Sequence, residues 1–277
     1  MHTLIAGTGA SMPPGANRRR MSSTAPSPSR AAGATGASID AAEVARFAAM
    51  ADEWWAADGK FAPLHRMNPA RLAYVRDRLA AHFNRDGSAD APLDGLRILD
   101  IGCGGGLLCE PLTRLGARLT GIDAGAEAIA VARRHATDSG LDIDYRNVSA
   151  EDLATAGEQF DCVLTMEVVE HVADPAAFVA TAASLTRGGG VLILATLNRT
   201  PKSFLAAIVG AEYVLRWLPV GTHDFRKFLR PSELAAMVRR SGLTIADVSG
   251  LAYSPLTGTW RLGRDLDINY MIQASKP

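Results

Sequence analysis

Apolar and polar positions follow two different patterns along the chain, and the change comes near residue 96. Before it, apolar side chains recur at helical spacing, which predicts N-terminal helices over residues 40–55 and 69–83. The first helix is expected to begin at Asp40, because Asp40 and Glu43 have the spacing of a capping box. After residue 96, short apolar runs alternate with helical patterns, which is typical of a parallel sheet with crossover helices.

This second part of the chain predicts seven strands with helices between them. The strands are Leu96–Ile101, Arg118–Ile122, Ile143–Asn147, Cys162–Met166, Val191–Thr196, Thr244–Leu251 and Ile268–Ala274. The helices are Leu107–Leu115, Ala126–Ser139, Ala176–Leu185 and Pro231–Ser241. An insertion over residues 199–229 separates the fifth strand from the last helix. The fold class predicted from this order is α/β.

The first 38 residues differ in composition from the rest, with Pro, Ser, Ala, Gly and Arg and no acidic residue. Such a segment cannot bury enough apolar surface to offset its ordering entropy. We therefore expect residues 1–38 to be a disordered leader and residues 39–277 to fold. Either the chain is translated from a later start, at Met21 or beyond, or the leader is a transit peptide, which is typically rich in Arg and Ser and poor in acids.

Charge and composition exclude some functions. The formal net charge is zero, which argues against a dedicated nucleic-acid binder. No apolar run reaches the roughly 20 residues that a spanning helix needs, so we expect a soluble or peripheral protein. Three cysteines without Cys-x-x-Cys spacing suit reduced thiols in an intracellular protein: Cys103, Cys109 and Cys162.

A glycine-rich loop, residues 102–106, directly follows the first strand. Glycine lets the backbone approach a ligand closely, and sheets of this kind bind ligands at the carboxyl ends of their strands. The second strand ends at Asp123, whose carboxylate can accept two hydrogen bonds from a ribose diol. These features predict a cofactor that carries a ribose.

Two cofactors fit such a loop, NAD and S-adenosylmethionine. Leu107 stands where the NAD fingerprint needs its third glycine. Asp100 suits a loop that receives the cationic amino-acid end of S-adenosylmethionine. The residues therefore favour a methyltransferase over an NAD-dependent oxidoreductase, and a tight turn without a ligand is the remaining alternative.

The acidic stretch from Glu167 through Glu170 to His171 follows the fourth strand at the same edge of the sheet. On a helix, positions i, i+3 and i+4 share a face, so two carboxylates and an imidazole could converge. Three interpretations stay open. The three side chains hold Mg²⁺, or His171 is a general base oriented by a glutamate, or the acids only favour a helix N-terminus.

Several motifs together resemble the UbiG family of ubiquinone biosynthesis O-methyltransferases. They comprise residues 99–107, which are similar to the first motif of class I methyltransferases, and residues 59–72, 166–172, 197–199, 209–213, 221–224 and 267–271. The resemblance implies a Rossmann-like class I fold that depends on S-adenosylmethionine. Its sheet would be mostly parallel and seven-stranded with the last strand antiparallel, and residues 39–92 would cap the active site.

The resemblance also implies an activity and a set of site residues. The reaction would be methylation of ring hydroxyls on polyprenylated phenol or quinol intermediates of ubiquinone biosynthesis. Cofactor contacts would fall on Arg71, Gly102, Asp123 and Met166. His171, Glu170 and Glu167 would be catalytic, with Mg²⁺ as a possible second cofactor. Ser149 stands where many relatives carry Asp, which argues against a side-chain contact with the adenine.

The insertion is apolar at its centre, which includes Leu215 and Trp217. We expect an interfacial helix, a lid or a core helix, and a polyprenyl substrate favours the first two. The expected location is the bacterial cytoplasm, with peripheral contact to anionic lipids of the inner membrane and to other ubiquinone-pathway enzymes. A transit peptide would instead imply the mitochondrial matrix. The other functional candidates are a methyltransferase of a small phenol or quinone and a cofactor-binding subunit without turnover.

Overall fold

The fold is described from a computed structural model that covers residues 39–48, 50–205, 224–254 and 257–277. Its strands are β1 Arg97–Ile101, β2 Arg118–Ile122, β3 Asp144–Arg146, β4 Phe160–Met166, β5 Thr186–Leu197, β6 Thr244–Ser254, β7 Thr259–Gly263 and β8 Asn269–Ser275. Its helices are α1 Ala41–Ala48, α2 Ala62–His82, α3 Cys109–Arg114, α4 Ala126–Asp138, α5 Ala150–Thr155, α6 Pro175–Leu185, α7 Pro201–Ser203 and α8 Pro231–Arg240. The predicted leader lies outside the described residues.

The strands form one sheet in the order β3-β2-β1-β4-β5-β8-β6-β7. β1 to β5 pair in parallel, whereas β8 runs antiparallel between β5 and β6. The prediction of a mostly parallel α/β sheet is confirmed, but the described part of the chain has eight strands and not seven. The missed strand, β7, pairs antiparallel with β6, and most of its side chains are exposed. With only five residues and little burial, it is too short for its alternation of Trp260 and Leu262 with polar residues to stand out in the sequence.

Helices cover both faces of the sheet. One core packs α5, α6 and α8 against the strands, with Phe178 and Leu234 among its buried residues. The other core packs α2, α3 and α4 against the opposite face, through residues such as Leu79 and Leu112. β4 and β5 are buried along most of their length, as expected of central strands with helices on both sides.

A third cluster joins the N-terminal segment to the domain above the carboxyl ends of the strands. It contains Met50, Trp54, Phe61, Leu107 and Val131. Its packing explains why α2 begins at residue 62 and not at the predicted position near Pro69. Pro69 lies inside the helix. Proline normally disfavours a helix interior; here the buried residues that flank the first turns hold the helix together.

Only the two ends of the predicted insertion are described, because residues 206–223 lie outside the described ranges. α7 lies at one end, and Phe204 and Leu205 after it are exposed. A short 3-10 helix, Phe225–Lys227, lies at the other end. Within the described ranges, no helix combines the length and apolarity needed to cross a membrane. The lid and membrane roles of the insertion stay predictions.

Candidate active site

A cavity of about 270 Å³ lies at the carboxyl ends of β1, β2 and β4. The N-terminal helices, the glycine-rich loop, the end of β2 and the turn after β4 each contribute to its wall. Six residues of the predicted site line it: Arg71, Gly102, Asp123, Met166, Glu167 and His171. The seventh, Glu170, is buried beneath the turn.

The glycine-rich loop has the shape of a cradle that side chains would fill. Gly102 has φ +74°, and a Cβ there would lie 2.5 Å from Cγ2 of Val168. Gly104 has φ +52°, and a Cβ there would lie 2.4 Å from the ring of Trp54. Both positions therefore require glycine, in backbone conformation and in space. The loop can bring its backbone close to a ligand in the cavity.

Asp123 ties this loop to the end of β2. Its Oδ2 accepts a hydrogen bond from Gly104 N at 3.0 Å, and its Oδ1 accepts one from Gly125 N at 2.7 Å. Burial raises the pKa of Asp123 despite both hydrogen bonds. Because a carboxylate offers about four acceptor sites, each oxygen can still accept a ribose hydroxyl.

Asp100 lies beneath the loop and is almost fully buried. Burial raises its pKa to about 7, although the hydrogen bond from Cys109 Sγ at 3.3 Å and the charge of Arg71 oppose the shift. A cationic group bound beside Asp100 would favour the ionised form. The position suits the ammonium group expected from the sequence.

Arg71 is buried on α2 and donates from Nη2 to Glu167 Oε1 at 2.5 Å. Its Nε is buried and has no hydrogen-bond partner in the structure. Arg71 therefore lies at the cavity as predicted, and it also holds Glu167, a contact that sequence reasoning missed. Glu167 has φ +55°, a left-handed conformation that is uncommon outside glycine.

The turn after β4 differs from the predicted helical arrangement. α6 begins only at Pro175, after its cap Asp174, so Glu167 to His171 do not share a helical face. Instead, the backbone N–H of His171 donates to Val168 O at 2.8 Å within a turn. The interpretation of these acids as a helix N-terminus is therefore wrong, and their three side chains contact three different partners.

Glu170 contacts the neighbouring strand. Its Oε2 accepts a hydrogen bond from Thr196 Oγ1 at 2.9 Å, and its Oε1 is buried without a partner. Burial raises the pKa of Glu170, and the charge of Glu167 adds to the shift. Glu170 is therefore a buried carboxyl behind the cavity wall and not a group on its surface.

His171 contacts a residue that no sequence motif places at this site. Its Nδ1 lies 3.2 Å from Oε2 of Glu43 on α1. Burial lowers the pKa of His171, but the hydrogen bond to Glu43 and the charge of Glu170 outweigh it, so the pKa lies above its ordinary value. The only sequence signal at Glu43 was its apparent place in a capping box.

Two neighbouring tryptophans clamp the glycine-rich loop from above. Trp54 stacks on Phe61 with 3.8 Å between ring centroids. Trp55 donates from Nε1 to Gly105 O at 2.9 Å and stacks on His135 with 3.4 Å between centroids. The expectation that N-terminal residues cap the site agrees with these contacts.

Comparisons with known proteins identify the family. A family model described as a methyltransferase domain matches residues 99–194. The ubiquinone biosynthesis O-methyltransferase of a Chelativorans species is 57% identical over 239 residues, which cover 86% of this chain and 94% of the relative. The ubiquinone biosynthesis O-methyltransferase of Cereibacter sphaeroides is 57% identical over 240 residues, which cover 86% of this chain and 97% of the relative. The chain belongs to the ubiquinone biosynthesis O-methyltransferase family.

Membership of the ubiquinone biosynthesis O-methyltransferase family confirms three predictions made from the motifs: the family itself, the enzyme class and S-adenosylmethionine as cofactor. Solved structures agree on the fold. Magnesium protoporphyrin IX methyltransferase from Synechocystis PCC 6803 with bound S-adenosylmethionine has a TM-score of 0.56 at 19% identity, covering 88% of this chain and 100% of that one. A methyltransferase from Thermotoga maritima has a TM-score of 0.57 at 21% identity, and the match covers 85% of this chain and 99% of that one.

The acids after β4 offer two oxygen atoms to a metal ion. Glu167 Oε2 and Glu170 Oε1 are both buried without partners, and such oxygens are ligands that Mg²⁺ accepts. Within the described ranges, however, no group of three or more His, Cys, Asp and Glu residues is arranged to hold a metal. The donor set therefore fits only an ion that takes its remaining ligands from water or substrate.

Proposed function

We propose that this chain methylates ring hydroxyls of polyprenylated phenol or quinol intermediates in ubiquinone biosynthesis. The observation that carries the proposal is the single cavity described above. The cofactor loop, Asp123, Glu167 and His171 all line this one cavity. A donor methyl group and a ring hydroxyl can therefore meet within one cavity. The names of the relatives support the same pathway.

Each residue around the cofactor half of the cavity has a proposed role. Asp123 accepts hydrogen bonds from the ribose, and Asp100 faces the ammonium group. The buried Nε of Arg71, together with the loop backbone, suits a carboxylate. Bound S-adenosylmethionine supplies an electrophilic methyl group on a sulfonium. Gly102 and Met166 shape the wall beside it.

The acceptor half must remove a proton. A phenol with a pKa of about 10 is roughly 4 kcal/mol from its ionised form at pH 7. Positioning alone can lower a barrier, but it does not remove that proton. His171 is the imidazole at the cavity wall, where its ring can accept that proton. His171 would accept the phenolic proton as the ring oxygen takes the methyl group, whose bond to the sulfonium sulfur breaks in the same displacement and leaves the neutral thioether.

Mg²⁺ is part of the proposal because two buried carboxylate oxygens lack partners. Glu167 would reach the ion from the cavity wall and Glu170 from behind that wall, with His171 beside them. Two adjacent ring hydroxyls would complete its ligands, and its charge would lower the phenol pKa. This arrangement would let one turn serve both the metal and the base.

The apolar part of the cavity wall suits an aromatic ring that carries a hydrophobic polyprenyl chain. Val44, Val168, Val172 and Phe178 line it. We propose that the insertion, residues 199–229, contacts the anionic inner membrane of a bacterium, from which the polyprenyl substrate enters. The other enzymes of the pathway would be partners there. If the leader is a transit peptide, the location is the mitochondrial matrix.

Calorimetry followed by a turnover assay tests the proposed function. We expect the protein to bind S-adenosylhomocysteine and not NAD, and then to transfer labelled methyl from S-adenosylmethionine to a short-chain polyprenyl catechol. Binding of NAD alone would support an oxidoreductase. Methylation of small phenols but not of the prenylated catechol would restrict the enzyme to the small-phenol alternative.

A further inference from the structure

Glu43 joins the N-terminal helix to the acceptor side of the cavity. It lies in the first turn of α1, and its Oε2 lies 3.2 Å from Nδ1 of His171, 128 positions further along the chain. The side chains of Glu43 and His171 are 17% and 16% exposed, so both are largely shielded from solvent. Both residues line the cavity that contains the cofactor loop.

The carboxylate of Glu43 is itself held in place. Lys227 donates from Nζ to Glu43 Oε1 at 3.5 Å, and Arg46 also pairs with Glu43. Burial raises the pKa of Glu43, but the hydrogen bond with His171 and the charges of His171, Arg46 and Lys227 outweigh it, so the pKa is lowered. Glu43 is therefore a fixed carboxylate and not a mobile surface acid.

A carboxylate beside one imidazole nitrogen decides what the other nitrogen does. A carboxylate only accepts hydrogen bonds, so Nδ1 of His171 must carry the hydrogen in this contact. In the neutral ring, Nε2 is then the acceptor nitrogen. A histidine used as a general base or as a metal ligand is commonly oriented in this way.

We infer that Glu43 is a positioning residue of the acceptor site, which fixes the ring and tautomer of His171 so that Nε2 is the nitrogen that acts on the substrate. The inference rests on the proposed role of His171. It replaces the expectation that Glu167 or Glu170 orients this ring, since those side chains contact Arg71 and Thr196. It also gives α1 a chemical role beyond covering the cavity.

The chain offers a matched control on the same helix. Asp40 also pairs with Lys227, at 3.1 Å, and its Oδ1 caps α1 through Ala42 N. Within the described part of the chain, Asp40 makes no side-chain hydrogen bond or ion pair with His171. Glu43→Gln and Asp40→Asn therefore make the same acid-to-amide change, and both weaken the pairing with Lys227. Only Glu43→Gln removes the carboxylate from Nδ1.

The experiment compares these variants as full-length proteins with S-adenosylmethionine. We expect Glu43→Gln to lower kcat on the prenylated catechol by about 10–100-fold, the usual effect of losing such a partner. Its Kd for S-adenosylhomocysteine should stay within about twofold of wild type, and Asp40→Asn should keep its kcat within about the same factor. Added acetate should partly restore Glu43→Ala but not His171→Ala. Equal kcat losses in Glu43→Gln and Asp40→Asn would overturn the inference.

A second readout does not depend on turnover. In ¹⁵N-histidine spectra at alkaline pH, the His171 signal, assigned with His171→Gln, should report hydrogen on Nδ1 in wild type and in Asp40→Asn. Glu43→Gln should shift it toward hydrogen on Nε2. If wild type carries the hydrogen on Nε2, the inference is wrong. If the tautomer responds to Glu43 but no variant methylates the catechol, the positioning role stands and the proposed function fails.

Discussion

Arg71 Nη2 and Glu167 Oε1 lie 2.5 Å apart and join positions that are 96 residues apart in sequence. Both side chains are largely buried, at 7% and 18% exposure. The pair connects α2, which covers the cavity, to the turn that carries the acceptor-side residues. Removing one partner leaves the other charge largely buried without compensation.

We predict that Arg71→Met destabilises the protein by about 3 kcal/mol, because Glu167 loses its counter-charge. The double variant Arg71→Met, Glu167→Gln should recover part of this loss, since no buried charge then lacks a partner. Urea unfolding of the wild type, both single variants and the double variant measures the coupling. Strictly additive effects would show that the two residues do not stabilise each other.

Asp123→Ala should weaken binding of S-adenosylhomocysteine by at least about 10-fold, as expected from losing one or more charge-assisted hydrogen bonds. Asp123→Asn should lose less, because its amide oxygen can still accept a hydrogen bond from Gly104 or Gly125. Calorimetry gives the affinity, and circular dichroism checks that each variant is folded. A folded Asp123→Ala protein with wild-type affinity would remove Asp123 from the cofactor site.

The ionised carboxylate of Asp100 should strengthen cofactor binding but lower the stability of the ligand-free protein. Its folded-state pKa of about 7 lies above the ordinary value of 3.8, so its ionised form costs stability. That cost is absent below about pH 4, grows as the pH rises and is complete above about pH 7. Asp100→Asn should therefore raise the free energy of unfolding at pH 8 by roughly 1–4 kcal/mol, an advantage that fades as the pH falls.

The same Asp100→Asn variant should bind S-adenosylhomocysteine more weakly, because an amide does not attract the ammonium group. Thermal unfolding at several pH values, with and without the ligand, separates the two effects. A variant that is less stable than wild type at pH 8 would contradict the assignment of a costly buried charge.

Chelation distinguishes the metal from a simple base. We expect EDTA to abolish methylation of a substrate with adjacent hydroxyls, and Mg²⁺ to restore it. Glu170→Ala should lower the rate and be partly rescued by excess Mg²⁺, with cofactor affinity unchanged. If His171 instead acts as a base without a metal, EDTA should have no effect. Mutation of His171 should then lower the rate by about 10²–10⁴-fold. Full activity after exhaustive chelation would refute the Mg²⁺ proposal.

Flotation with liposomes tests the proposed membrane contact. The wild-type protein should float with anionic liposomes and not with neutral ones, and changing Leu215 and Trp217 to polar residues should reduce the bound fraction. The two positions belong to the apolar centre of the insertion. Absence of flotation by the wild-type protein would favour a lid or a core helix.

The sequence predicted those parts of the fold and site that depend on local pattern. Gly102, Asp123 and Met166 lie at strand ends, and the order of strands and helices brings them to one edge of the sheet. The central strands were recognisable because each is a short run of apolar residues, which is also a local pattern. β7 was missed because it has only five residues, most of them exposed, and the first two turns of α2 were missed because Pro69 resembles a helix start.

Contacts between distant segments could not be predicted in the same way. Glu43 has the spacing of a capping residue, yet its carboxylate contacts His171 across 128 positions. The stretch from Glu167 to His171 has helical spacing, yet it forms a turn in which Glu167 adopts a positive φ. In both places tertiary contacts outweigh a local preference, and a single sequence does not record such contacts.

The order of strands in the sheet has a consequence for how the chain folds during synthesis. β5 and β6 emerge from the ribosome before β8, the strand that separates them and pairs with both. Until residues 269–275 emerge, the buried strand β5 and the half-buried strand β6 each present an unpaired edge, and such edges are prone to join other nascent chains. We therefore expect folding to be completed late, and loss of β8 to cause aggregation rather than a slightly weakened enzyme.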